Sequence, residues 1–439
     1  MRDIVVTAVI FSTLPFILWR PYIGVLVWTW ISLMNPHRLC WGFAFDFPFA
    51  YIVAIVTLAA MLFSREQKRI PWSREAIVLL AFLAWMLLTT FFAVYPSLAW
   101  PHLEKIAKIF LMIFVTLMLM QTKERINLLV WVMALSLAFY GVKGGIFTIV
   151  HGGVYHVRGP EGTFIGGDNE MGLALVMTVP LLRYLQLATS RPWLKLAVTA
   201  AMGLTALAAV GSQSRGALLG IVSMAIFLWL KSRRKLVTAF MAVAAAILIV
   251  NVMPEQWFDR MGTIDNYQQD ASAMGRINAW HMAFNLAKDK PLGGGLDAFQ
   301  PGMFQIYAPH PDNVHDSHSI YFEVLGEHGF VGLALFLALG LMTWFSASRV
   351  IRESRGDPGR RWASDLCAMV QVSLIGFASA GAFLGLAYFD LYYNLIAVVV
   401  LCKTVLNMQD AAVRAVQGKP RGRSAMEMPS GAVRLKPEL

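Results

Sequence analysis

Three arginines and one histidine are the residues of this chain whose types and surroundings best suit chemistry. Arg158 in VRGPEGT, Arg215 in SQSRGALLG and Arg276 in GRINAW stand in connections otherwise poor in Lys and Arg. A guanidinium offers a planar fork of donors matched to phosphate oxygens. A charge at the mouth of apolar segments is costly unless paired or solvated, so the three ask for an anionic partner. Arg215 is the sharpest case, at the junction of two apolar runs joined by almost no loop. Gly211 and Gly216 beside it let a ligand approach the backbone. The plainer alternative is an arginine that snorkels to lipid headgroups or pairs with an acidic neighbour.

The histidine lies in HDSHSIYFEVLGEHGFVG, residues 315–332, where a long polar connection gives way to an apolar run. Read as a helix from about Ser317, this segment puts His318 and Phe322 on one face with Leu325 and Gly329, and sets Glu327 too far along to bond His318. An imidazole whose ordinary pKa is about 6.5 can take a proton from a hydroxyl. His310, His315 and His328 read equally as capping or surface residues. Asp316 or Asp312 can orient an imidazole, and Asp316 serves equally as a helix N-cap. Lys105 and Lys108, with Glu104 and His102, open the run that starts at Pro101. Asp390 stands at a further turn with Tyr392 and Tyr393, which read as interface anchors.

The elements that must hold these residues are membrane-spanning. Of 439 residues, 57% are hydrophobic and 14% charged, and mean hydropathy is +0.59, which rules out an ordinary water-soluble surface. Apolar runs long enough to cross a bilayer occur at about 3–34 (interrupted at Pro15, Arg20 and Pro21), 48–64, 75–93, 101–120, 126–149, 169–189, 193–211, 215–231, 235–253, 318–348, 362–386 and 388–408. The expectation is an all-α polytopic membrane protein of about 12 transmembrane helices with one large periplasmic loop domain. Its parts are N-terminal transmembrane helices (1–253), the loop domain (254–317), C-terminal transmembrane helices (318–408) and a disordered cytoplasmic tail (409–439).

Basic clusters fall in alternate connections: Arg65 to Arg74, Lys123 and Arg125, Arg183 to Lys195, Lys231 to Lys235, and Arg349 to Arg361. By the positive-inside rule these face the cytoplasm, which leaves the arginines and His318 on the opposite, periplasmic side of a bacterial inner membrane. The net charge of +11 is therefore a topology signal and implies no nucleic acid. The N-terminus lacks a basic region and a cleavage site and reads as a retained anchor. Within 254–317, PEQWFDR, a mixed polar run, an amphipathic stretch from Gly275 to Lys288 and PLGGGLDAF predict a small folded cap. GGGLDAF lacks the strand and the GK[ST] of a nucleotide loop, so Gly293 to Gly295 read as a turn. Cys40, Cys367 and Cys402 have no metal-like spacing.

Taken together, SRGALLG, GRINAW, PLGGGLDAF and HSIYFEVLGEHGFVGL resemble the O-antigen ligase family, which also holds O-antigen polymerases and protein O-glycosylation ligases. The likeness covers about Arg158 to Gly332 in motifs and the whole chain in hydropathy. The family pattern has Asn after the histidine where this chain has Ser319, and PHRL around His37 is similar to the exosortase-associated O-glycosylation ligases. The resemblance implies a glycosyltransferase of the GT-C type working without nucleotide, metal or other cofactor. It would take a glycan from an undecaprenyl-diphosphate donor and join it to a hydroxyl of a lipid A-core acceptor. Carried onto this chain, it assigns Arg215 and Arg276 to the donor diphosphate, with Arg158 as a third candidate, and His318 to catalysis; His315, Asp316, Lys105 and Asp390 become possible supporting residues. A transporter of lipid-linked glycans would also be polytopic and arginine-lined, but such folds commonly show internal repeats, and none is visible here.

Overall fold

Hydrocarbon offers no hydrogen bonds, so a chain this apolar has to satisfy its backbone within each segment, as helices do. The computed structural model describes residues 1–66, 68–232, 234–262 and 271–417. Among them, 77% are helical and none lies in a strand. The helices run in the order α1 (Arg2–Trp19), α2 (Pro21–Met34), α3 (Phe49–Phe63), α4 (Arg74–Phe91), α5 (Pro96–Leu119), α6 (Lys123–Val150), α7 (Asp168–Ala188) and α8 (Pro192–Gly211). They continue with α9 (Arg215–Lys231), α10 (Lys235–Val252), α11 (Glu255–Gly262), α12 (Ala271–Asp289), α13 (Pro301–Tyr307), α14 (Ile320–Glu353), α15 (Arg361–Ala380) and α16 (Asp390–Gln417). Eight of these are long and apolar enough to cross a membrane: α1, α4, α6, α7, α8, α14, α15 and α16. Three more, α2, α3 and α10, are apolar but shorter. The chain is an all-α, multi-pass membrane protein.

Connections gather at two ends. At one, the Arg125 fork holds Glu66 through two contacts of 2.9 Å, and the Gln121 side chain donates to the Arg69 carbonyl. Arg360 pairs there with Asp410. At the other end, the Val157 N–H donates to Gly211 O at 3.0 Å, the Gln213 amide donates to Gly153 O at 3.0 Å, and the Val94 N–H donates to Gly294 O at 2.8 Å. The basic clusters thus sit at the first end and Arg215, Arg276 and His318 at the second. Helices α7 and α16 are buried over most of their length, whereas α1 is peripheral. Residues of 254–317 carry a small core of their own, in which Ala279, Met282 and Leu286 of α12 meet Ala298 and then Met303 and Phe304 of α13.

Several boundaries differ from expectation, each for a local reason. The run 3–34 is two helices, because Arg20 is extended (φ −138°, ψ 95°) and Pro21 opens α2. Helix α5 begins at Pro96, not at Pro101. The run 362–386 stops at Ala380 and passes into a short 3₁₀ turn, Gly381–Phe383. The tail expected to be disordered from 409 continues as helix to Gln417; residues 418–439 lie outside the described residues, as do Arg233 and the polar run 263–270.

Helix α14 begins at Ile320, so His318 precedes it and shares no helical face with Phe322. It is also broken once, at Gly329 (φ 65°, ψ −171°). A break of this kind frees backbone carbonyls, and the PLGGG segment takes them up: Gly294 N–H donates to Gly326 O and Gly295 N–H to Glu327 O, both at 2.9 Å. Close contact is possible because Gly293 and Gly295 have positive φ (71° and 80°). A Cβ on Gly293 would come within 2.6 Å of the Glu327 backbone.

Candidate functional site

His318 is placed by backbone conformation. Its φ is +40°, an uncommon value for a residue with a side chain, followed by extended Ser319 (φ −159°, ψ 121°) at the N-cap of α14. Asp316 does not cap the helix. Its carboxylate turns back instead to accept from the Ser317 N–H at 2.7 Å. The Ser319 hydroxyl is buried and has no hydrogen-bond partner among the described residues.

The GRINAW motif on α12 explains how this turn is held. Gly275 packs against His315, since a Cβ there would lie 2.3 Å from His315 Cδ2. Asn278 donates to the carbonyls of His310 (2.9 Å) and Asn313 (2.8 Å) and accepts from the His310 N–H (2.9 Å). Trp280 donates its indole N–H to Ser317 O at 2.8 Å and stacks on Phe322 with ring centres 5.0 Å apart. Arg276, on the same helix, is half-buried, and its charge acts on His318 together with those of Asp316 and His315. Burial lowers the His318 pKa from its ordinary value; Arg276 and His315 push the same way and Asp316 opposes them. The imidazole is therefore neutral near pH 7 and able to accept a proton.

Arg215 reaches this end of the bundle as the first residue of α9. Gln213 takes φ +56° and Ser214 caps the helix, its hydroxyl accepting from Ala217 N–H at 3.2 Å. The flanking glycines were expected to admit a ligand but serve helix packing: Gly211 abuts Thr148 of α6, and Gly216 faces the Ala380 carbonyl at the end of α15. The next residue of that turn, Gly381, packs on Ile320, two residues after His318. Arg276, His315, Asp316 and His318 thus form one electrostatic cluster, and the helix that Arg215 opens is joined to it by backbone packing through the end of α15.

Beside the cluster lies a polar cavity of about 450 Å³, whose walls include Lys105, His315, Asp316, Glu323, Glu327 and Tyr388. Glu327 accepts from the Asp297 N–H at 2.9 Å and from the Tyr388 hydroxyl, whose pKa burial and the two glutamates push up, so that it remains a donor. Glu323 accepts from Ala387 N–H at 3.0 Å, and His102 Nδ1 meets Asp297 Oδ2 at 3.1 Å. Glu323, Asp297 and Tyr388 were not singled out in the sequence. Glu170 was missed as well, although the charges of Asp316 and Arg276 act on it. His156, whose Nδ1 lies 2.6 Å from Asp168, was also missed. The one signal, and for the carboxylates alone, is an acidic residue in an otherwise apolar run, as at 323 and 327.

Other candidates stand elsewhere. Arg158 is exposed on a separate cavity of about 550 Å³, with Lys143, His151 and His156. Asp390 is buried and accepts from Ser32, and Tyr392 and Tyr393 are buried in the core, not anchored at an interface. His328 is no surface residue either: it is fully buried, with Nδ1 2.7 Å from the Thr89 hydroxyl.

Residues 200–337 match the O-antigen ligase family. The matched segment contains Arg215, Arg276, His315, Asp316, His318, Asp297, Glu323 and Glu327. Residues 1–188 match a family of unknown function (DUF5935), and they supply His102, Lys105 and Phe164 to the polar cavity. No curated protein matches the chain. The cavity is therefore built jointly by the segment that matches the O-antigen ligase family, the N-terminal region and the turn before α16.

Proposed function

We propose that this protein is a membrane glycosyltransferase of O-antigen ligase type, acting on the periplasmic side of a bacterial inner membrane. The observation that carries the reading is a half-buried His318 held by a positive-φ turn beside Arg276, inside the segment that matches the family. The donor is a glycan on undecaprenyl diphosphate and the acceptor a hydroxyl of lipid A-core. His318 takes the hydroxyl proton as that oxygen attacks the anomeric carbon from the face opposite the diphosphate. The bond from the anomeric carbon to the diphosphate oxygen breaks, with inversion, and the leaving group's charge is met by Arg215 and Arg276.

The test is direct. Purified protein given the undecaprenyl-diphosphate glycan and lipid A-core, without ATP or divalent metal, forms the conjugate, and His318→Ala does not. Full activity of that variant removes the general-base role. The second reading, a polymerase, shares the donor and is favoured if the donor alone is extended. Transfer to a protein hydroxyl is the protein O-glycosylation outcome, consistent with Ser319 in place of the usual Asn.

A further inference from the structure

Next to the polar cavity, and sharing Lys105 and Phe164 with it, lies a groove of about 410 Å³ along α2, α3 and α5. Every residue lining it falls between Trp28 and Phe164, inside the region that matches a family of unknown function. Three cations line it, Arg38, Lys105 and Lys108, together with Ser32, Asn35 and Thr163, whose side chains donate within the protein to Asp390, the Ser32 carbonyl and the Pro160 carbonyl. None of its described lining residues is acidic. His37 adds no charge, because burial, then Arg38, pushes its pKa down to about 4.

The backbone builds this concentration of charge deliberately. Asn35 takes a left-handed conformation (φ 49°, ψ 54°) at the end of α2 and turns the chain into the Pro36–Leu39 segment that carries Arg38. Gly162 (φ +73°) brings the opposite loop within reach, where a Cβ would lie 3.4 Å from Arg38 Nη1. Acidic neighbours engage the cations only from outside the groove. Asp46, 80% exposed, meets Arg38 at 3.1 Å, and Glu104, 68% exposed, meets Lys108 at 2.5 Å. Exposed pairs of this kind contribute little and yield readily to a stronger anion. Asp390 and Asp297 act on Lys105 at longer range, the first engaged by Ser32 and the second by His102. Arg38 nonetheless acts on Lys105 as a like charge, and a phosphate among the three cations relieves that repulsion.

One wall of the groove is also apolar surface. Tyr51 lines it and, with Ile55 and Leu62, forms an exposed apolar ridge down α3 at helical spacing. A cationic pocket at the head of an apolar ridge fits a phosphate carried on a lipid. We propose that this groove binds the phosphate of a lipid-borne acceptor, whose chains lie along α3 and whose sugar passes Lys105 into the polar cavity. The acceptor assignment rests on the transferase reading above, whereas the lipid-phosphate site does not.

Binding is measured on the full-length protein in detergent with three probes: short-chain phosphatidic acid, diacylglycerol with the same chains, and inorganic phosphate. Phosphatidic acid binds. Arg38→Ala with Lys108→Ala weakens it about tenfold or more, while the charge-keeping pair Arg38→Lys with Lys108→Arg stays within about threefold. Equal binding of diacylglycerol overturns phosphate recognition, and equal binding of inorganic phosphate overturns the lipid requirement. In transfer assays the alanine pair raises the KM for the acceptor and leaves that for the donor unchanged. A rise confined to the donor overturns the acceptor assignment. A wild-type protein that binds phosphatidic acid but transfers nothing refutes the transferase reading and leaves the lipid-phosphate site standing.

Discussion

The Trp280 indole N–H donates to the carbonyl oxygen of Ser317 at 2.8 Å, which ties the helix carrying Arg276 to the turn carrying His318. A hydrogen bond of this kind contributes about 1 kcal/mol net, roughly a fivefold change in an equilibrium. Trp280→Phe keeps an aromatic face against Phe322 but loses the bond. We expect the variant to fold normally and to lose about fivefold in kcat, with little change in the KM for donor. An unchanged turnover rate would show that the clamp is dispensable.

A second expectation concerns the imidazole itself. Glycine tolerates φ +40° more easily than histidine, so His318→Gly removes the side chain without straining the turn. The rate should fall by about a hundred- to ten-thousand-fold. Added imidazole should restore part of it, with saturation. Absence of rescue, together with intact thermal stability, would argue that His318 orders the turn and takes no proton.

Acidity provides a third test. Burial holds His318 below its ordinary pKa, and the working form of a base is the neutral one. Transfer should therefore persist as pH falls through about 6.5 and decline only on further acidification. Asp316 opposes the downward shift, so Asp316→Asn should move the acidic limb to still lower pH. A limb at or above about 6.5 in the wild type would contradict the assignment.

The arginines are distinguished from simple positive charge by Arg276→Lys and Arg215→Lys. Lysine keeps the charge and loses the planar fork. Each should lower kcat/KM for the donor by about tenfold or more, with alanine worse than lysine. If lysine matches wild type at both positions, diphosphate recognition by a guanidinium fork is refuted.

Gly329 tests the architecture that sets the cavity wall. A Cβ there would lie 2.1 Å from the Pro291 carbonyl, and its φ of +65° is unfavourable for any other residue. Gly329→Ala should cost at least about 2 kcal/mol, from backbone strain and overpacking together. The measurement is Tm in detergent, and an unshifted Tm would mean that PLGGG and α14 are not locked as described.

Much of this architecture is written locally, and hydropathy alone carries it. Long apolar runs dictate helices because hydrocarbon leaves backbone groups no other partner, and the clusters around Arg65, Lys123 and Arg360 mark one end of the bundle. The cluster of Arg276 and His318 was legible too, since charge and imidazole are conspicuous at the edges of apolar runs.

Tertiary structure decided what those marks could not. His318 lies ahead of α14 because its own φ is positive, and hydropathy carries no information about one dihedral angle. Gly211 and Gly216 seat helices, and Tyr392 and Tyr393 lie in the core, because the facing of a helix depends on its neighbours. His102 and Asp297 are 195 positions apart yet meet at 3.1 Å, and Tyr388 reaches Glu327 from 61 positions away. Helix type and length follow from composition over one turn after another. The meeting of distant side chains depends on how whole helices rotate and where glycines let backbones touch, which only the packed bundle fixes.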